Sequence, residues 1–138
     1  MTDFVPYLAF DGACEAAFRF YARALRGEIV AMMRLSNAPP EVPRTPETEN
    51  RIMHARLKLG DAVIMGGDAP PGRGAKPQGF CVALQIDAPE EAERAFAALS
   101  EGGAVTMPIA KTFWAARFGM LTDRFGVPWM VNCEKAGA

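Results

Sequence analysis

The chain has one histidine, His54, two residues before Arg56 in the alternating run 51–59. If that run is extended, a period of two puts Met53, Ala55, Leu57 and Leu59 on one face. Ile52, His54, Arg56 and Lys58 fall on the other, so the histidine lies among cations. Imidazole titrates near neutrality and serves as a general acid or base. A neighbouring guanidinium can hold or steer an anionic group. The three cysteines, Cys14, Cys81 and Cys133, are an odd number at no metal-like spacing. They read as reduced, mostly buried thiols of a cytoplasmic protein. A nucleophilic thiol needs a positioned base or a lowered pKa, and nothing in the sequence supplies either for Cys81.

The elements that must position these groups follow from local pattern. Residues 4–10 form a short apolar run with Pro6 inside it, which starts a strand or lies at an edge. From 13 to 25 the period is helical, with Cys14, Ala17, Phe18, Tyr21 and Leu25 as the apolar stripe. Glu15, Arg19 and Arg23 make a solvated face, Glu15 supporting Arg19, and Gly27 ends the helix as a C-cap. Residues 28–35 read as a strand. Residues 36–50 hold Pro39, Pro40, Pro43 and Pro46 and form no regular element; a loop of this length is a lid, a contact arm or a disordered tip.

After the strand at 51–59 another spans 62–65, and 66–79 reads as a Gly/Pro-rich linker containing Arg73 and Lys76. The linker has glycines but not the order G-x-x-x-x-G-K-S/T, so it is no phosphate loop. In 80–86, Phe80, Val82, Leu84 and Ile86 face one way, and Cys81, Ala83 and Gln85 the other. Asp87 and Glu90 resemble a capping box, with Pro89 in the first turn. Ala92, Ala95, Phe96 and Leu99 form the buried stripe of the helix, which stops at Gly102-Gly103. A strand at 104–111 leads to a hairpin over 113–133. There Arg117, Gly119 and Leu121 alternate with Phe118, Met120 and Thr122. Beyond the turn at Asp123-Arg124-Phe125-Gly126, Trp129, Val131 and Cys133 alternate with Met130 and Asn132.

With 138 residues, half of them hydrophobic, and a net charge of −1, the chain can build a core and shows no basic patch. Nucleic acid is not an expected partner. No apolar run approaches the roughly 20 residues of a bilayer span, so no membrane role is expected either.

Sliding the chain by 76 residues aligns it with itself without a gap. Leu8 meets Leu84, Asp11 meets Asp87, Glu15 meets Glu91, Phe20 meets Phe96 and Gly27 meets Gly103. Each half is therefore read as the same unit of strand, helix and further strands. The repeats cover about 1–67 and 78–138 of a single 1–138 domain.

This duplicated unit resembles the vicinal oxygen chelate superfamily of glyoxalase I, bleomycin-resistance proteins and extradiol dioxygenases. Within it the chain looks most like the PhnB-like branch. The resemblance rests on YLAFDGACEAAFRFYARAL, IMHARLKLGDAVIM and TMPIAKTFWAARFGMLTDRFGVPWMVNC. The implied fold is α+β: two βαβββ modules forming a cupped, partly closed eight-stranded mixed sheet with helices on its outer face. Homodimers are implied as well. Metal-using members place four ligands, usually His, Gln or Glu, on the inner face. Strand matching carries those positions to Pro6, Met65, Cys81 and Met130, none of which has such a side chain. No cofactor is therefore expected, a divalent metal being the disfavoured alternative.

By the same alternation the cavity is lined by His54, Arg56, Met65, Cys81, Gln85, Met130 and Asn132, with Trp114 near its mouth. Mostly apolar walls with a few polar groups describe a small-molecule pocket. The expected function is metal-free binding of a small, partly apolar molecule. The alternative is a lyase, isomerase or dioxygenase acting on a small oxygenated substrate through His54 or a divalent metal. Some PhnB-like sequences are labelled demethylubiquinone methyltransferases, but no glycine-rich S-adenosylmethionine loop follows the first strand here.

Overall fold

Alternating and helical periods convert into two successive modules with the same order of elements. A computed structural model describes residues 2–70 and 76–135. The first compact unit, 1–75, contains β1 (Tyr7–Phe10), α1 (Cys14–Leu25), β2 (Glu28–Arg34), β3 (Ile52–Leu59) and β4 (Ala62–Asp68). The second, 76–138, contains β5 (Val82–Gln85), α2 (Pro89–Ser100), β6 (Ala104–Ala110), β7 (Ala115–Thr122) and β8 (Pro128–Glu134). The sheets are ordered β1-β4-β3-β2 and β5-β8-β7-β6. In each, the first strand pairs in parallel with the last and the other pairings are antiparallel. The sequence repeat is thus a repeat of topology. Its eight strands are hydrogen-bonded as two sheets of four. The connection at 71–75, with Arg73, lies outside the described residues. Among the described residues, no helix is long and apolar enough to cross a membrane.

In the first unit α1 covers one sheet face. The predicted stripe is buried in full, joined by Phe20 and Ala24, as are Leu8, Phe10, Ala55 and Leu57 of the sheet, with Phe18 edge-on to Phe10. The helix lacks a side-chain cap on Ala13, and Asp68 at the end of β4 replaces it. Its Oδ1 accepts the N–H groups of Gly12 (2.9 Å) and Cys14 (3.0 Å), and its Oδ2 accepts that of Ile52 (2.8 Å). A carboxylate at a helix N-terminus satisfies orphan donors and complements the dipole. At the other end Arg26, not Gly27, takes the left-handed conformation (φ 56°). Gly27 is needed for a different reason: a Cβ there would lie 2.9 Å from the Lys58 carbonyl oxygen. The solvated face forms as expected, Glu15 pairing with Arg19 and also with Arg34.

Two further local expectations are corrected. Strand β4 runs three residues past the predicted end at Met65, through Gly66, Gly67 and Asp68. The glycines signal a close approach and not a linker, since a Cβ on Gly66 would lie 2.8 Å from the Phe18 ring. In β3 the register shifts between the pairs Met33–His54 and Arg34–Ile52. One extra residue exchanges faces, so Ile52 is 2% exposed and Met53 38% exposed. Ile52 therefore leaves the His54 face for the core.

The second unit buries Ala92, Ala95, Phe96 and Leu99 of α2 with Val82, Leu121, Trp129, Val131 and Cys133 of its sheet. The Asp87–Glu90 capping box does not form; Ala88 is the N-cap, without a side-chain bond, and Pro89 opens the helix. The β7–β8 turn is closed by buried Asp123. Its Oδ1 accepts the N–H groups of Phe125 (2.8 Å) and Val127 (3.1 Å), and its Oδ2 accepts the Trp129 indole N–H (2.8 Å).

Gly66→Ala should lower the unfolding free energy by about 1–3 kcal/mol, as overpacking does. Asp123→Ala should cost about 3 kcal/mol or more by stranding buried donors. Urea denaturation of each variant checks both values; a midpoint equal to wild type would contradict the assigned contact.

Candidate functional site

A sheet covered by a helix on one side leaves the residues of opposite parity on the other, and cross-strand register shows which of them are neighbours. In the first unit the row Tyr7, Met65, Arg56, Ala31 runs across β1, β4, β3 and β2 on the face away from α1. His54 and its partner Met33 lie on the same face. The Arg56 guanidinium Nη2 donates to the Met65 thioether at 3.3 Å. No carboxylate bonds to His54 among the described residues, so the imidazole lacks the orienting partner of a catalytic pair. This face carries His54, Arg56 and Lys58, with Glu28 opposite Lys58 on β2.

In the second unit the face away from α2 has a different chemistry. Ala83, Met130, Met120 and Met107 form one row across the sheet, and Gln85, Asn132, Phe118 and Ala110 form the next. Asn132 Nδ2 donates to Gln85 Oε1 at 2.9 Å. The other polar side-chain atom of that amide, Asn132 Oδ1, is buried and has no hydrogen-bond partner among the described residues. Trp114 packs edge-on against Phe118 with ring centroids 5.4 Å apart, and Phe113 against Trp114 at 4.8 Å. A turn on Thr112 sets this corner: its N–H bonds the Ala115 carbonyl at 3.1 Å, and its hydroxyl accepts the Ala115 N–H at 3.0 Å. Trp114 is 49% exposed and Phe113 86% exposed. Trp129, by contrast, is wholly buried core.

The predicted residues therefore form two groups. Arg56, Met65 and His54 share the open face of the first sheet; Gln85, Asn132 and Met130 share that of the second, with Trp114 at its corner. Cys81 lies just before β5, two residues from Ala83, and is partly exposed. Sequence reasoning left out Tyr7, Phe118 and Met120 as lining residues. For Phe118 and Met120 the signal was present, since they share the parity of the open face in β7.

Metal-using members of the superfamily that the chain resembles hold a divalent ion, and the residues at the matched positions here do not fit one. A hard cation takes oxygen or imidazole donors. In the first unit the Pro6 carbonyl oxygen accepts the Met65 N–H at 2.9 Å, and the Met65 sulfur already faces a guanidinium. In the second unit the positions offer the Cys81 thiol and the Met130 thioether. No group of three or more His, Cys, Asp or Glu side chains is placed to hold a metal among the described residues.

Modules of this topology define the class. A glyoxylase/bleomycin resistance protein/dioxygenase domain from Frankia sp. EAN1pec matches with a TM-score of 0.67, covering 100% of this chain and 95% of that one. At 12% identity this is a likeness of fold. The chain belongs to the family described as 3-demethylubiquinone-9 3-methyltransferase, whose profile matches residues 2–132. It is 35% identical to Protein YjdN of Escherichia coli (strain K12), over 94% of each chain. The crystal structure of protein PA1353 from Pseudomonas aeruginosa is similar at 45% identity and a TM-score of 0.87, covering 97% of this chain and 98% of that one. A putative 3-demethylubiquinone-9 3-methyltransferase, PhnB protein, from Bacillus cereus is similar at 25% identity and a TM-score of 0.76, covering 96% and 99%.

The first unit also contains a thiol whose chemistry is settled by its surroundings. Burial, then the nearby carboxylates of Asp68 and Glu15, push Cys14 up to about 12. Burial, with Cys14 and Asp68, also raises the Tyr7 hydroxyl. Cys14 is thus a packing residue and not a nucleophile. A thiol with a folded value above its unfolded value of about 8.5 holds its proton more tightly in the folded chain. Its contribution to stability is complete below about pH 8.5 and is lost as pH rises toward the folded value. Cys14→Ala should therefore flatten the alkaline fall in stability, measured as urea midpoints between pH 8 and 10. Equal slopes in the two proteins would contradict the shift.

Proposed function

We propose that this chain binds a small, planar, partly apolar molecule on the open face of its second sheet, without a catalytic metal. The observation that carries the reading is the Gln85–Asn132 pair, with a buried amide oxygen that lacks a donor among the described residues, in a sheet row beside methionine and aromatic side chains. Leaving such an acceptor unpaired costs about 1–3 kcal/mol, and a ligand N–H or O–H would recover it. Trp114 and Phe118 offer edges and faces to a ring, while Met120 and Met130 adapt to its outline. Mostly apolar walls with a few placed polar groups are typical of small-molecule sites.

The second reading is an enzyme using His54 as acid or base, with Arg56 steering an anion, because both lie on one strand face two residues apart. Methyl transfer, the activity in the family's description, would require a site for a methyl donor. The segment after β1 reads Asp11-Gly12-Ala13-Cys14, without a glycine-rich loop. A cytoplasmic homodimer belongs to the proposal too. Three free cysteines and the exposed Val105 and Met107 on edge strand β6 support it.

Benzamide titrations followed by tryptophan emission test the binding reading, because Trp114 is exposed and Trp129 is not. Saturable quenching is expected, lost in Trp114→Leu and about tenfold weaker in affinity for Asn132→Leu. Unchanged emission to the solubility limit of benzamide would reject it. Turnover of α-ketoacid, hemithioacetal or catechol substrates that is abolished by His54→Ala would favour the enzymatic reading. Calorimetric binding of S-adenosylmethionine would favour methyl transfer.

A further inference from the structure

Residues 36–50 lack many of the N–H donors of a regular element because of their four prolines, yet the segment is built. Its ends are pinned by two backbone bonds, Leu35 N–H to the Arg51 carbonyl and Ser36 N–H to the Glu49 carbonyl, both 2.8 Å. Within it the Arg44 guanidinium donates to the carbonyls of Ser36 (3.0 Å), Ala38 (2.8 Å), Val42 (3.3 Å) and Pro39. One side chain thus supplies the donors that the prolines removed. The Thr45 N–H bonds the Thr48 hydroxyl at 2.8 Å, closing the last turn. Such a segment is an ordered canopy.

Beneath it lies a cleft of about 290 Å³, open to solvent on one side and bordered by the canopy, the start of β3 and the end of β4. Leu35, Pro43, Ile52, Met53, Ala69 and Pro70 give it apolar walls, with Thr48 on the canopy side. Its two charged groups are Arg51 and Asp68. Arg51 donates from Nη1 to the Ala69 carbonyl at 3.0 Å and pairs through Nη2 with Asp11 at 2.9 Å. A guanidinium has five N–H donors, so these two contacts leave capacity. The Asp68 Oδ2 atom accepts the Ile52 N–H, and a carboxylate oxygen can accept a second bond.

We propose that this cavity is a binding site for an apolar molecule of bicyclic size carrying one hydroxyl group. The volume has room for two fused rings: about 150 Å³ takes a benzene ring, and the cleft, at about 290 Å³, is nearly twice that. The hydroxyl follows from the polar pair. A hydroxyl both donates and accepts, so it can donate to Asp68 and accept from Arg51 at once. A carboxylate ligand would meet Asp68 as a like charge, and an ammonium would meet Arg51. The site belongs to the first unit and is independent of the amide pair on the second sheet.

The test uses 2-naphthol as probe and the intact chain carrying ¹³C-methyl methionine, read by NMR. Saturable movement of the Met53 methyl signal is expected, with Met120 and Met130 unmoved. Affinity for 2-methoxynaphthalene, which cannot donate, should be at least tenfold weaker. Ala69→Leu, which fills the cavity, should abolish the Met53 response while thermal melting reports whether the variant is folded. A static Met53 signal in the wild-type chain overturns the site whatever that variant does. Movement confined to Met120 and Met130 also overturns it, and leaves the sheet-face reading standing. Equal affinities for the two naphthalenes would overturn the assignment of a hydroxyl ligand.

Discussion

In each module one carboxylate gathers backbone N–H groups that folding would otherwise leave without partners. Asp68 joins three separate pieces of the first unit: the turn before α1, the first turn of that helix, and the start of β3. Asp123 does the equivalent within the β7–β8 hairpin and adds the Trp129 indole. Bonds to an ionised acceptor are stronger than neutral ones, and buried donors without partners are costly. Helix position, strand register and the placement of the largest core side chain thus depend on these two side chains. They also give these two conspicuous acidic residues a structural role: each carboxylate accepts three N–H groups from the chain itself.

With the carboxylates engaged in this way, the open sheet faces are left with other chemistry. The first has a histidine, an arginine and a lysine with a thioether between strands; the second has two amides, methionines and an aromatic corner. Neither face offers the convergent oxygen and imidazole donors that a hard cation takes. Neither pairs the histidine with an acid. What the second face offers is apolar contact and amide hydrogen bonds, the chemistry on which the proposed binding rests. Within each module the single helix packs on one sheet face only.

Much of this was legible in the sequence because parity and helical period are direct consequences of backbone geometry. The α1 stripe, the buried stripe of α2, the β7–β8 turn and the twofold repeat all emerge as read. Most departures depend on a contact from a distant part of the chain. Gly66 and Gly67 read as a linker because their reason for being glycine is elsewhere, Phe18 in the case of Gly66. Asp68 was hidden in the same stretch, though it caps a helix more than fifty residues earlier. The extra residue at Met53 moved Ile52 to the core, which no alternation count reveals. The capping box at Asp87 failed although its spacing was right, since a cap is a matter of φ and ψ as well as residue type. Among the site residues, the grouping of Gln85 with Asn132 followed from parity, but the orphaned amide oxygen is a property of three-dimensional packing alone.

The internal likeness of the modules is a likeness of backbone and core, and it stops at the open faces. The helix side tolerates little: a glycine makes room for an aromatic ring in both units, Gly66 for Phe18 and Gly119 for Phe96, although the two glycines sit on non-equivalent strands. Close packing punishes a change of even one methyl group there. On the open side no helix imposes a shape, so the same strand order carries cations in one module and amides in the other. The repeated topology is a shared scaffold, and the sheet face away from the helix carries different side chains in each copy. A ligand site in this chain is therefore to be sought in what distinguishes the halves, and the orphaned Asn132 oxygen beside Gln85 is one such difference.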